Sequence, residues 1–311
     1  MENLDPLHYD SRMTREWFIA GNKRLPIGGR TLVMGVLNVT PDSFSDGGQF
    51  FSLDKATAHA EQLIAEGADI VDVGGESTRP GGAAIVSAAE ELERVLPVVK
   101  QLAARFDVPI SIDTTKAAVA RAALDAGAAI VNDISALRFD PQIAEEAAKA
   151  GAGLVLMHSR GTPGELHSLP PVDNIIEEVS SSLRNSVEIA EQRGVCRESI
   201  VVDPGIGFGK TQEQNLELIA KLDQLIAAFP SFPLLIGTSR KSFIGRILGD
   251  ANGNPAPVDQ RLHGSLATLT AAVLKGAHIV RVHDVKAAVE TVRVVDAIRN
   301  CRANQMQPRA S

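Results

Sequence analysis

Leu32-Val33-Met34-Gly35-Val36-Leu37 is a continuous apolar run that ends on the carboxamide of Asn38. Seven further runs repeat the arrangement. Asp69 to Val73 precedes Gly74-Gly75-Glu76, Pro109 to Ile112 precedes Asp113, Ala129 to Val131 precedes Asn132-Asp133, and Gly153 to Met157 precedes His158. In the second half Ile200 to Val202 precedes Asp203, Pro233 to Ile236 precedes Gly237-Thr238-Ser239, and Ala277 to Val280 precedes Arg281-Val282-His283. A strand buried on both faces reads as an unbroken Val/Ile/Leu run, and an eight-stranded α/β barrel builds its site from the C-terminal strand ends. The predicted fold class is therefore α/β, a (β/α)8 TIM barrel, and the polar residues that close the runs are its candidate site.

Helical periodicity fills the gaps. Ile175, Ile176, Val179, Leu183, Val187 and Ala190 recur at three- and four-residue steps, the one-sided stripe of a helix on a barrel wall. Further helices are expected over 54–66, 85–105, 116–126, 141–150, 212–228, 259–275 and 285–301. Several close on glycine, as at Gly67, Gly127, Gly151, Gly194 and Gly276, where a left-handed residue ends a helix. Residues 1–30 fall outside the eight units, and Trp17-Phe18-Ile19 followed by Gly21-Asn22 predicts an N-terminal hairpin extension that plugs the barrel's N-terminal mouth. The expected organisation is an extension over 1–30, one catalytic barrel over 31–303 and a tail over 304–311. Two strand-end loops, 38–48 and 74–82, are longer than a βα connection requires and are expected to act as lids.

Composition narrows the classes of function. The 311 residues carry a formal charge of −7, so no global basic field holds nucleic acid or an anionic membrane, and any anionic substrate needs local cations. Two cysteines, Cys196 and Cys301, make neither a disulfide framework nor a zinc motif. Charged residues precede any apolar stretch, which is the wrong order for a secretory signal, and no run approaches the roughly 20 residues of a membrane span. A soluble, cytoplasmic enzyme is expected.

Asp113, Asn132 and Asp203 end three different strands and in a closed barrel share one cavity. Two carboxylates and a carboxamide suit the donor-rich edge of an aminopyrimidinone ring, whose exocyclic NH2 and ring N–H one carboxylate accepts together. They also suit paired acid and base work, as in glycoside hydrolysis, or for Asp113 and Asp203 plain helix capping. The loop from Asp203 to Thr211 holds no nucleotide motif, because Pro204 and Lys210 stand where a P-loop and a dinucleotide fingerprint each require glycine. It offers little bulk and one aromatic, Phe208, to lie near a flat ligand. Arg240 and Lys241 follow the seventh run, and Arg281 alternates with His283 at the eighth, the part of a barrel that often holds phosphate. A divalent ion at such a site would be Mg2+, held mostly by substrate phosphate oxygens and one protein oxygen; His158 has no partner at metal spacing.

Residues 37–48 (Leu-Asn-Val-Thr-Pro-Asp-Ser-Phe-Ser-Asp-Gly-Gly) and 74–81 (Gly-Gly-Glu-Ser-Thr-Arg-Pro-Gly) resemble the two signature loops of the dihydropteroate synthases. Ile112-Asp113-Thr114, Asn132-Asp133-Ile134, Asp203-Pro204-Gly205, Ser239-Arg240-Lys241-Ser242 and Arg281-Val282-His283 continue the likeness in the family's order, over about residues 30–300. The resemblance implies a transferase that joins 4-aminobenzoate to a dihydropterin diphosphate. By motif, Asp113, Asn132, Asp203 and Lys241 would bind the pterin, Arg281 would stack on it, and Met157 and Phe208 would line its slot. Asn38, Thr78, Arg281 and His283 would hold the diphosphate, with Asn38 the protein ligand to Mg2+. Thr78, Pro80, Lys241 and Ser242 would border the aminobenzoate, and Arg79 and Gly237 belong to the same substrate-contacting segments. Asn38, Lys241, Arg281 and His283 form the implied catalytic set. The resemblance also implies a homodimer and sensitivity to sulfonamides. Gly82 and Ser159 depart from the family's pattern. Two rivals remain: a pterin-binding methyltransferase, which lacks the Ser-Arg-Lys and the diphosphate pair, and an inactive barrel, which would lose Lys241, Arg281 or Asn38.

Overall fold

The computed structural model describes residues 15–40, 49–76, 86–162 and 169–305. Strands β1 (Arg15–Ile19) and β2 (Lys23–Ile27) form an antiparallel hairpin. Alternation follows: β3 (Leu32–Asn38), α1 (Gln49–Ala65), β4 (Ile70–Gly74), α2 (Ala88–Arg105), β5 (Ile110–Asp113), α3 (Ala117–Asp125), β6 (Ile130–Asp133), α4 (Gln142–Ala150), β7 (Gly153–Met157) and α5 (Ile175–Gln192). The series ends with β8 (Ile200–Asp203), α6 (Gln212–Ala220), α7 (Leu222–Ala228), β9 (Leu235–Ile236), α8 (Ser242–Ile247), α9 (Leu262–Leu274), β10 (Ile279–Val282) and α10 (Val285–Gln305). The strands from β3 onward pair in parallel in the order β8-β7-β6-β5-β4-β3-β10-β9. A parallel bridge between Val202 and Leu234 joins the two ends and completes a TIM barrel.

The runs are apolar because both faces of each strand are covered. Outward residues such as Val33, Val71, Val73, Ile112, Val131, Leu154 and Val202 meet the helices in one continuous core. Each helix turns one stripe inward, as α5 does with Ile175, Val179, Leu183, Val187 and Ala190. Burying one such side chain contributes about 1.5–3 kcal/mol. Helix starts are fixed locally: Ser87 with Glu90 and Thr211 with Gln214 make reciprocal capping boxes at α2 and α6.

The hairpin closes the N-terminal end of the barrel. Trp17 is fully buried and its indole N–H donates to the Ser199 carbonyl at 2.8 Å. Trp17, Ile19 and Ile27 join Leu32, Met34, Ile70, Ile130, Val155, Val201, Leu235 and Ile279 in a second apolar cluster that fills the barrel's interior. A Cβ at Gly153 would stand 3.0 Å from both Trp17 and Ile19, so a side chain there would press against the plug.

Two elements differ from the sequence reading. The helix expected over 212–228 breaks at Lys221 (φ −108°, ψ 25°), yet Leu218, Leu222 and Leu225 stay buried on both sides, so the apolar rhythm passes through unmarked. Helix α8 occupies a stretch for which no helix was expected. The last strand, Ile279–Val282, includes Arg281 as its place inside the apolar run implied, and its charge is satisfied inside the barrel. Among the described residues no helix is long and apolar enough to cross a membrane.

Candidate active site at the C-terminal end of the barrel

Strand side chains alternate between the two faces, so the inner face can be read two residues at a time. Ile70, Ile130, Val155, Val201, Leu235 and Ile279 belong to the interior cluster. Two positions further along the same strands stand Asp72, Asn132, Met157, Asp203, Gly237 and Arg281. Polarity thus begins one layer above the plug. Lateral register sets Asn38 beside Gly74, Gly74 beside Asp113, and Asp113 beside Asn132. Above this layer opens a cavity of about 370 Å³ whose lining includes Asn38, Glu76, Asp113, Asn132, Met157, Asp203, Phe208, Gly237, Ser239, Lys241, Ser242, Arg281 and His283.

Arg281 is the hub of the floor. Its Nε donates to Asp72 Oδ2 at 2.6 Å and its Nη2 to Asp113 Oδ2 at 2.7 Å. Asp72 Oδ2 also accepts from Asn132 Nδ2 at 3.0 Å. Burial works to lower the Arg281 pKa, but Asp72 and Asp113 outweigh it and hold the guanidinium above its ordinary range. Burial pushes Asp113 up to about 7, with Arg281 opposing and Asp72 adding to the rise.

The wall after β8 is a glycine loop held by cations. Gly205 (φ +66°) donates its N–H to Asp203 Oδ1 at 2.7 Å, and a Cβ there would fall 1.8 Å from the His158 carbonyl oxygen. Lys210 turns its ammonium onto the carbonyls of Gly205 (2.8 Å), Phe208 (3.1 Å) and His158 (3.3 Å). Arg160 binds the same loop from outside through the Gly209 carbonyl at 3.0 Å. Phe208 is thereby set against Met157. The Lys241 ammonium lies 4.1 Å from the Phe208 ring centre, a cation–π contact. Burial raises Asp203 to about 6 and lowers Lys241 to about 8, the latter helped by Arg281.

Lys241 and Ser242 owe their placement to Arg240, which sits in the left-handed region at φ +59°. Such a conformation costs on the order of 1 kcal/mol or more and persists where neighbours impose it. Here the Arg240 N–H donates to Ser265 Oγ at 2.9 Å, its carbonyl accepts from Arg261 Nη1 at 3.0 Å, and its guanidinium makes two bonds to Asp284. Arg240 therefore works as a corner, and Lys241 is the cation of that pair that reaches Phe208.

Residues 34–283 match the profile of the pterin binding enzyme family. A dihydropteroate synthase of Synechocystis is 49% identical over 271 residues, covering 87% of this chain and 91% of the relative. The chain belongs to the dihydropteroate synthase family. Two solved structures agree: the Clostridium difficile dihydropteroate synthase in the presence of pteroic acid (TM-score 0.80, 45% identity, 88% of this chain and 98% of that one) and the Xanthomonas albilineans enzyme with 4-aminobenzoic acid (TM-score 0.81, 40% identity, 94% and 100%).

In this dihydropteroate synthase family member the barrel brings Asn38, Asp113, Asn132, Met157, Asp203, Phe208, Gly237, Lys241, Ser242, Arg281 and His283 to one cavity. Thr78, Arg79 and Pro80 lie outside the described residues, as do 41–48 of the expected lid 38–48 and 77–82 of the expected lid 74–82. Sequence reading passed over Asp72 and gave Lys210 no role, and it took Glu76 only as a polar residue closing its run. Asp72 had a signal, a lone carboxylate within Ile70-Val71-Asp72-Val73. Glu76 lines the mouth and is held at 2.6 Å by Lys116, which also binds the buried Glu91 at 2.5 Å. Among the described residues no group of three or more His, Cys, Asp or Glu side chains could hold a metal ion. The single amide oxygen of Asn38 fits Mg2+ that takes its remaining ligands from phosphate and water.

Proposed function

We propose that this chain condenses 6-hydroxymethyl-7,8-dihydropterin diphosphate with 4-aminobenzoate to give 7,8-dihydropteroate and diphosphate. The observation that carries the reading is that one cavity is lined both by acceptors, Asp113, Asn132 and Asp203, and by donors, Lys241, Arg281 and His283. The first set matches the NH2 and ring N–H groups of a pterin; the second matches a departing anion. Phe208 and Met157 would flank the ring, and Thr78, Pro80, Lys241 and Ser242 would border the aminobenzoate.

The bond between the exocyclic methylene and the diphosphate oxygen breaks, and its electron pair leaves with diphosphate. Electron release from the reduced ring supports the resulting cation. The neutral arylamine then attacks the methylene carbon and loses a proton to water, so the chemistry calls for no strong protein base. Preorganised donors that meet charge as it develops are the largest aid a site of this kind supplies. Arg281 and His283 would take that role. Asn38 would hold Mg2+, which supplies charge neutralisation on the diphosphate oxygens when bound.

A homodimer through α9 and α10 is part of the reading, supported by the exposed Leu274, Val294 and Ile298; monomer alone in sedimentation at micromolar concentration would end it. A cytoplasmic location and inhibition by sulfonamide analogues of aminobenzoate complete it. The deciding experiment measures diphosphate release from the dihydropterin diphosphate with Mg2+, with and without 4-aminobenzoate, beside a Lys241→Ala control. Release coupled to dihydropteroate and lost in the control is expected. Pterin binding without product would refute the condensation.

A further inference from the structure

We propose that Asp72 is a positioning residue for this reaction, the fixed counterion that keeps Arg281 paired when Asp113 turns to the pterin ring. The proposal rests on the condensation reading and deepens it.

Arg281 has two carboxylate partners of different kinds. Asp113 lines the cavity and is open to a ligand. Asp72 is fully buried in the middle of β4 and lies below the lining. A ring that takes Asp113 as acceptor removes one of the two negative charges beside the guanidinium. A buried charge stripped of its partner is strongly destabilising. Asp72 meets the guanidinium through Nε at 2.6 Å, so that contact survives and leaves the Nη2 edge, now bound to Asp113, free to turn to the leaving anion. The same Asp72 oxygen fixes Asn132: a carboxylate only accepts, so the Asn132 NH2 faces Asp72 and its Oδ1 is left for a ring donor. One residue beyond ligand reach thereby orients two that are within it.

The test uses 6-hydroxymethylpterin, which carries no diphosphate, and inorganic diphosphate with Mg2+ as separate probes, read by calorimetry on wild type and Asp72→Asn. In the variant the pterin can take Asp113 only by leaving Arg281 unpaired, so its affinity is expected to fall at least tenfold. Diphosphate supplies the missing counterion and should recover at least fivefold of that loss, while in wild type it changes pterin affinity much less. A residue that merely supports the fold would lose pterin affinity with no such rescue. Unchanged pterin affinity, or a loss that diphosphate does not relieve, overturns the proposal. Wild type that binds no pterin would instead refute the condensation reading, and this proposal with it. If Asp72→Asn is recovered unfolded, Asp72→Asn/Arg281→Met decides. It is expected to fold, since removing both charges leaves neither unpaired, and an equally unfolded double variant would show that Asp72 acts apart from Arg281 and overturn the proposal.

Discussion

His283 is tied twice to Ser239: its Nδ1 lies 3.1 Å from the Ser239 hydroxyl, which also accepts from the His283 backbone N–H at 3.2 Å. In the tautomer where Oγ donates its own proton to Nδ1, Nε2 carries the ring proton, and the Ser239→Ala variant tests that tautomer. Burial, reinforced by Arg281, Arg240 and Lys241, pushes His283 down to about 3, so the imidazole is neutral. Beside Arg281 it would add a donor to the proposed anion site without adding a second charge. Ser239→Ala frees the ring to change tautomer and is expected to weaken inorganic diphosphate binding about fivefold, the worth of one neutral hydrogen bond. Pterin affinity should not change. Calorimetry with each ligand alone checks both, and an equal loss for the two would contradict the tautomer argument.

Pterin binding should be confined to a pH window. Burial raises Asp113 to about 7 and Asp203 to about 6, and only their ionised forms accept two ring N–H groups, so affinity rises as pH climbs through these values. Lys241, lowered to about 8 by burial and by Arg281, loses its charge above that point, and affinity falls again. A fluorescence titration from pH 5 to 9 is expected to give a bell. Asp203→Asn should remove the lower step of the acid limb, leave the Asp113 step near 7 and lower the plateau, and Lys241→Met should remove the alkaline limb. A flat profile in wild type would mean that the ring is held without these ionisations.

The barrel could be read from the chain because each strand is covered on both faces and therefore spells an apolar run. Arg281 stood out for the same reason, as a cation inside such a run that needed a partner. Asp72 posed the identical problem inside Ile70-Val71-Asp72-Val73, but the glycines and Glu76 that follow drew the reading to the strand's end. The pairing itself was not legible, since Asp72 and Arg281 lie 209 residues apart. Lys210 registered only as the residue that spoils a nucleotide motif, because its role depends on three backbone carbonyls that no side-chain pattern announces. Helix α8 was hidden by its six-residue length and by the left-handed Arg240 just before it.

Acid should weaken the fold through His278, far from the chemistry. Its Nδ1 accepts from the Leu234 N–H at 3.1 Å, which only an unprotonated Nδ1 can do, and burial pushes its pKa down to about 4. A folded pKa below the unfolded value of about 6.5 gives stability that is present above pH 6.5 and lost as pH falls toward 4. Between pH 7.5 and 5 that loss is on the order of 2 kcal/mol. The raised carboxyls Asp113, Asp133 and Asp203 act in the opposite sense, so wild type alone cannot isolate the effect. His278→Asn keeps an acceptor near Nδ1 but does not titrate. Urea unfolding at both pH values is expected to show a drop smaller than in wild type by about 2 kcal/mol, and equal drops would place the acid sensitivity elsewhere.

Gly205 and Gly151 separate backbone strain from close approach. Both have positive φ, +66° and +59°, so alanine at either pays the left-handed penalty of about 1–2 kcal/mol. At Gly151, the C-cap of α4, a Cβ would meet nothing within 4 Å, and Gly151→Ala should cost little beyond that penalty. At Gly205 the Cβ would fall 1.8 Å from the His158 carbonyl oxygen, a contact no real structure contains, so the loop must move. Moving it breaks the Gly205 N–H bond to Asp203 or the Lys210 bond to the Gly205 carbonyl that holds the loop, and so loosens Asp203, the proposed pterin acceptor. Gly205→Ala is expected to lose about 3 kcal/mol or more of stability, in the range of overpacked core substitutions with broken hydrogen bonds, and at least tenfold in pterin affinity. Gly151→Ala should bind pterin as wild type does. Denaturant unfolding and pterin titration of the two variants give the comparison. If Gly205→Ala matched Gly151→Ala in both, the approach of the loop to His158 would not be what holds Asp203 in place.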